Sequence, residues 1–173
     1  RGADPALKDK AGNTALHVAV SLGYAPAALG ALIDKGAPID STNAEGDTPL
    51  AMAMRRKAAN VVELLATRGA SMFVRNAKGE TPLSIALADG VELTRTLVAA
   101  SPKGAKDDSG EGPFHYAVRM RAGSMIIETL KAIGLDPSAR NNEGDGALHL
   151  AARTNSAAEG QALLLSGDRE SVV

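Results

Sequence analysis

Apolar residues in this chain come in short bursts, not in long runs. Leu50, Ala53 and Met54 fall at i, i+3 and i+4, the spacing that places side chains on one face of a helix. Ahead of them Thr48 is a good N-cap, and Pro49 occupies the first helical position, where a missing N–H costs nothing. The phrase recurs at Gly12–His17 and Gly79–Ser84 and, in weaker form, at Gly110–His115 and Gly144–His149. A second apolar burst follows each copy: Leu32/Ile33, Val61/Val62 with Leu64/Leu65, Leu97/Val98, Ile126/Ile127 with Leu130, and Leu163/Leu164. Each helical stretch then closes on a glycine: Gly36, Gly69, Gly104, Gly134 and Gly167, with Gly2 closing an earlier one. Arg1-Gly, Lys35-Gly and Arg68-Gly read as C-caps, a cation meeting the negative helix end before a residue that tolerates αL.

From opening to closing glycine the count is 24, 23, 25, 24 and 23 residues, which is room for two helices of roughly 8–11 residues and a tight turn. From closing to opening glycine it is 10, 10, 10, 6 and 10 residues, which suits an extended finger and not a third helix. One helical hairpin cannot bury its own apolar stripe, whereas stacked neighbours can. The expected fold class is therefore an all-α repeat solenoid of helix–turn–helix units joined by short β-hairpin-type fingers. The expected units are a trailing finger at 1–8, then repeats at 9–41, 42–75, 76–106, 107–140 and 141–173, with a shortened finger before the fourth. An open repeat end leaves an apolar face in water, so a missing repeat or cap is expected on the N-terminal side. Gly112 and Gly146 replace the capping threonine, which loosens those helix starts by about a few tenths of a kcal/mol.

The unit resembles the ankyrin repeat, whose hallmark is Gly-x-Thr-Pro-Leu-His-x-Ala followed by Leu-Leu-x-x-Gly-Ala. It is matched at Gly12–Ala19, Gly46–Ala53, Gly79–Ala86, Gly110–Ala117 and Gly144–Ala151, with opening glycines 34, 33, 31 and 34 residues apart. The resemblance implies a module that binds proteins through the concave surface of its fingers and first helices. It also implies that the histidine of the motif is structural.

Composition narrows the function classes. The formal net charge is −1, so no overall field favours nucleic acid or anionic lipid. No cysteine is present, which removes thiolate metal sites and a disulfide framework. No apolar run approaches the ~20 residues that span a bilayer, so no membrane insertion is expected. The opening residues carry no signal-peptide pattern, and a cytoplasmic location is expected, with a secreted effector as the other reading.

Candidate chemistry is sparse. His17, His115 and His149 share one register, but stacked helices lie roughly 8–10 Å apart, so these residues cannot converge on one metal ion. Ser84 stands in the same register with no activating base nearby. Neither a P-loop nor a dinucleotide fingerprint is present. No catalytic, cofactor or metal residue is expected, and no small-molecule substrate.

What is left is a surface. The finger-side positions are mostly acidic (Glu45, Asp47, Glu80, Glu111, Glu143, Asp145), with Lys10 and Lys78 as basic members. The helix-side positions carry Arg55, Arg56, Asp89, Arg119 and Arg153. Two stripes of opposite sign can orient a protein partner, or they can neutralise each other. Met72 and Phe73 are the most apolar exposed candidates and the expected anchor. On this reading, reversing charge at Arg55, Arg56 and Glu80 weakens binding without lowering the thermal midpoint. Other classes are a targeting arm of a larger enzyme or bacterial effector, or a dedicated inhibitor.

Overall fold

In a computed structural model, residues 3–165 are described. Gly2, Gly167 and the stretch 166–173 lie outside them, so the caps expected there are left aside. Ten helices run in sequence among the described residues: α1 (Ala15–Ser21), α2 (Pro26–Asp34), α3 (Pro49–Arg55), α4 (Ala59–Thr67), α5 (Pro82–Asp89), α6 (Val91–Ala100), α7 (Pro113–Arg119), α8 (Ser124–Ala132), α9 (Ala147–Arg153) and α10 (Ala157–Leu164). The class is that of an all-α repeat solenoid.

The first helix is shorter than expected in four of the five pairs, and the cause is local. α1, α3, α7 and α9 have seven residues each. Eleven places after each opening glycine the backbone enters positive φ, at Gly23, Lys57, Gly90, Arg121 and Asn155. Such a residue cannot continue a right-handed helix. The closing glycines Gly36, Gly69, Gly104 and Gly134 also have positive φ, as C-caps in αL do.

The chain divides into two compact units, one of residues up to 85 with 100–102 and one of 86–99 with the residues from 103 onward. In the first, α1 packs on α2 and α3, α2 on α4, and α3 on α4. Leu16, Leu29, Leu50, Met54 and Leu65 are fully buried there, and each contributes about 1.5–3 kcal/mol over an exposed position. In the second, α7 packs on α8 and α9, and α10 on α8 and α9, around Leu97, Phe114, Val118, Ile127 and Leu130.

The fingers are hairpin-like without being β-ladders. Among the described residues the one bridge is Arg140–Gly146. Each finger closes with two backbone bonds across its tip, all 2.9–3.0 Å: one from Asp9 N to Asn13 O, Asn43 to Asp47, Asn76 to Glu80, Asp107 to Glu111 and Asn141 to Asp145, and one from the opening glycine N–H back to the carbonyl of the same Asp or Asn. The N–H groups that would extend a ladder are taken by side chains instead.

Candidate functional site

Each finger is built on an Asp or Asn three places before the opening glycine. Asn76 Oδ1 accepts the N–H of Lys78 and of Glu80, both at 2.9 Å. Asp9, Asn43, Asp107 and Asn141 make the same two bonds in their own fingers. The pair fixes a tight Asx turn and points the two tip residues outward. In the first unit the fingers also bond to one another, Ala44 N to Ala11 O at 2.9 Å and Ala77 N to Glu45 O at 3.0 Å. In the second, Asn142 N bonds to Ser109 O at 2.9 Å.

The two charge stripes meet inside this frame. In the first unit Arg55 bonds to Asp47 and, at 2.6 Å, to Glu80. Asn76 Nδ2 reaches the same two carboxylates at 2.9 and 3.0 Å. Burial works against the charge on Arg55, but the bonds to Asp47 and Glu80 outweigh it and raise its pKa. The bonds from Asn76 and then Arg55 hold Glu80 below the usual carboxylate range. In the second unit Arg119 pairs with Glu111, and Arg153 pairs with Asp145, through a hydrogen bond of 2.8 Å to Oδ1 and an ion-pair contact of 2.5 Å to Oδ2. Tyr116 donates its hydroxyl to Asp107 at 2.9 Å.

The sequence expectation that these carboxylates form an open stripe is therefore corrected at three places. Asp47 is 3 % exposed, and Glu111 and Asp145 are also buried. Each lies one place after its opening glycine, under the arginine eight residues on, so it holds that arginine and offers little to solvent. Arg55, Arg119 and Arg153 remain exposed above them, as are Glu45, Arg56, Lys78, Asp89 and Glu143, while Glu80 is half-buried. Met72 is corrected too. It is 3 % exposed, and its carbonyl takes the N–H of Leu83 at 3.0 Å, which ties the segment beneath the start of α5. Phe73 is half-buried.

Arg55 consequently has a structural share. Replacing it by glutamate places a third carboxylate beside Asp47 and Glu80, and we expect a loss of about 1–2 kcal/mol after allowance for its exposure. The thermal midpoint then falls, against the expectation from sequence. An unchanged midpoint for Arg55→Glu in a melting curve rejects this account.

The motif histidines take the structural role. Thr14 N–H donates to His17 Nδ1 at 3.2 Å, so Nε2 carries the proton and donates to Asp47 O at 2.9 Å. His115 repeats this with Gly112 N at 3.3 Å and Asp145 O at 3.0 Å. Ser84 replaces the ring with a reciprocal capping box, Thr81 N to Ser84 Oγ at 2.8 Å and Ser84 N to Thr81 Oγ1 at 3.0 Å; such pairs satisfy free donors of the first turn.

Burial pushes the His17 pKa below its ordinary value of 6.5. The unfolded chain then binds the proton more readily than the folded one. Stability is full above the unfolded value and falls as pH drops toward the folded one. Melting temperature should decline from about pH 7 to about pH 5.5, and the decline should shrink in His17→Asn. Equal slopes in the two proteins refute the assignment.

Three features escaped the sequence reading. The Asx residue precedes every opening glycine by three places, and that regularity was the available signal. Lys8 and Lys106, one place earlier, bridge to the next finger at Thr42 O and Arg140 O, both 2.7 Å. The positive-φ register at Lys57 and Arg121 is masked by residues that rarely signal it. Among the described residues no group of three or more His, Asp or Glu is placed to hold a metal ion, and no helix is long and apolar enough to cross a membrane.

Comparison with known proteins agrees with this geometry. Residues 1–76 match the family model for ankyrin repeats, in three copies. The ankyrin repeat domain of Bcl-3, described as a unique member of the IkappaB protein family, superposes with a TM-score of 0.66 at 29% identity, over 94% of this chain and 72% of that one. An ankyrin repeat domain from Acinetobacter baumannii AYE (ABAYE2397) gives 0.63 at 24% identity, over 96% and 88%. A chain from the complex of the predatory endopeptidase Bd0816 of Bdellovibrio bacteriovorus with immunity protein Bd3460 gives 0.60 at 24%, over 92% and 84%. The latter two likenesses speak to the fold alone. Repeats of this kind are general protein–protein interaction modules. Residues 1–76 carry ankyrin repeats, and the chain has the fold of an ankyrin repeat domain.

Proposed function

We propose that the chain is a protein-binding module, with no chemistry of its own, that grips a partner through its finger tips and the exposed flank of its first helices. The observation that carries this is the locked row of fingers in the first unit. Two finger-to-finger backbone bonds hold it, and it presents Lys10, Glu45 and Lys78 outward with Arg56 on the helix side. A rigid surface of alternating charge loses little entropy on binding and selects partners by complementary charge. In the second unit Glu143, Arg119, Arg153 and Asp89 are the corresponding exposed groups. Asp47, Glu111 and Asp145 serve the surface from beneath, each fixing one guanidinium; Glu80 joins Asp47 beneath Arg55. Met72 and Phe73 support the third finger.

A complex of standard size buries about 800 Å² per partner. The test is affinity capture from the cell of origin with the wild-type chain and two variants. One reverses Glu45, Arg56 and Lys78. The other reverses the exposed outer residues Glu63 and Glu128. Proteins lost only with the first variant, at unchanged melting temperature, support the surface. Identical capture by both variants refutes it.

A further inference from the structure

Two junctions between neighbouring copies, first with second and fourth with fifth, each lie within one compact unit. They differ at the turn that joins the two helices of a copy. In the fourth copy Gly123 N–H opens toward the fifth, where the buried Glu159 carboxylate accepts it at 2.9 Å. Arg121, two places earlier, crosses the same junction to Thr154 O at 2.8 Å.

Between the first and second copies these groups are missing. Counted from the opening glycines, Ala25 stands in the place of Gly123, Gly23 in that of Arg121 and Val61 in that of Glu159. Ala25 N–H has no partner among the described residues, and α2 has no side-chain cap. A cleft of about 420 Å³ is left there. Val20, Pro26 and Val61 give it an apolar wall, and the exposed Tyr24, Asn60 and Arg56 complete its lining. Both sides of the cleft belong to described copies, so it does not lie at an open end of the row.

Arg56 supplies the charge. Its guanidinium lies against Gly23, where an added Cβ would be 3.4 Å from Nη2. Arg55, Arg119 and Arg153, one register earlier, are each paired with a carboxylate. Arg56 has no hydrogen-bond or ion-pair partner among the described residues. An unsatisfied guanidinium, a free N–H and an apolar wall together complement a carboxylate with an apolar neighbour. Glu159 is the internal precedent for a carboxylate in this register.

We infer that the cleft receives an aspartate or glutamate side chain of a partner protein, in place of the internal carboxylate that this junction lacks. The carboxylate accepts Ala25 N–H and pairs with Arg56, while the apolar residue beside it packs on Tyr24 and Pro26. Tyrosine and arginine are the residue types enriched at the energetic centre of interfaces. The inference rests on the protein-binding reading above and narrows it to one acidic anchor.

Random peptides displayed on phage and selected on the 173-residue chain test it. Selected peptides should share an acidic residue next to an apolar one, and a synthetic copy should bind saturably in a titration. Arg56→Gln should weaken that binding roughly tenfold or more, as loss of a charge-assisted pair does. Changing the peptide's acidic residue to its amide should lose as much, and the two changes together little more. Val61→Glu builds the carboxylate that Glu159 supplies and should close the site. Circular dichroism checks that each variant folds, and Arg56→Gln, at an exposed position, carries the test if Val61→Glu does not. No selected peptide, peptides without an acidic residue, or equal binding by Arg56→Gln overturns the inference. So does a cellular partner lost on reversing Glu45 and Lys78 yet held undiminished by Arg56→Gln, a result that leaves the finger-tip surface standing.

Discussion

Gly46→Ala should destabilise the first unit by about 3 kcal/mol, more than most single substitutions do. Two costs combine. Gly46 has φ +77°, where any side chain costs roughly 1 kcal/mol. Its added Cβ would also lie 2.7 Å from Ala77 N and 2.9 Å from Asn76 Cα, so the neighbouring finger has to move and its bond to Glu45 O is strained. Gly36→Ala separates the two. Gly36 has φ +88° but open space around it, so its substitution should cost only about 1 kcal/mol. Urea unfolding of both variants measures the difference. Equal losses would falsify the claim that close finger contact contributes to stability.

Asn76→Ala should cost about 2–3 kcal/mol, because one amide serves four partners. Its oxygen takes two backbone N–H groups, and its nitrogen reaches Asp47 and Glu80. Truncation leaves the buried Asp47 short of a donor, and an unmet buried group costs more than a typical hydrogen bond contributes. Asn43→Ala, in a less buried finger, should lose about half as much. Asn76→Asp restores the two acceptor contacts but turns a carboxylate toward two others, so it should not recover the loss. Denaturant midpoints rank the three. Amide exchange at Lys78 and Glu80 should quicken in Asn76→Ala, and unchanged exchange there contradicts the proposed role.

Period, caps and repeat spacing were legible in the sequence because they are local. Thr48, Pro49 and the apolar residues after them announce α3 without help from elsewhere in the chain. The closing glycines did the same for the helix ends. The site was less legible. Whether Asp47 faces solvent depends on Arg55 folding back across it and on Asn76 arriving from the next finger, and no residue-type pattern encodes that meeting. Met72 misled for a related reason. A methionine in a finger looks exposed until the fold shows its segment tied beneath α5. The Asx residues could have been read, since they recur at a fixed offset from glycine, but Asp and Asn are common enough in loops to pass as ordinary turn formers.

The Asx turn also bears on how such a surface changes over time. The side chains at 44–45, 77–78 and 142–143 hang from a backbone whose geometry is set by neighbours on either side of them. Exchanging these side chains, proline and Asn142 apart, leaves the bonds that shape the finger untouched, whereas the Asn142 amide also donates to Asp108 O at 2.9 Å. Recognition can therefore drift, or be rewritten by mutagenesis, while the scaffold's folding free energy stays nearly constant.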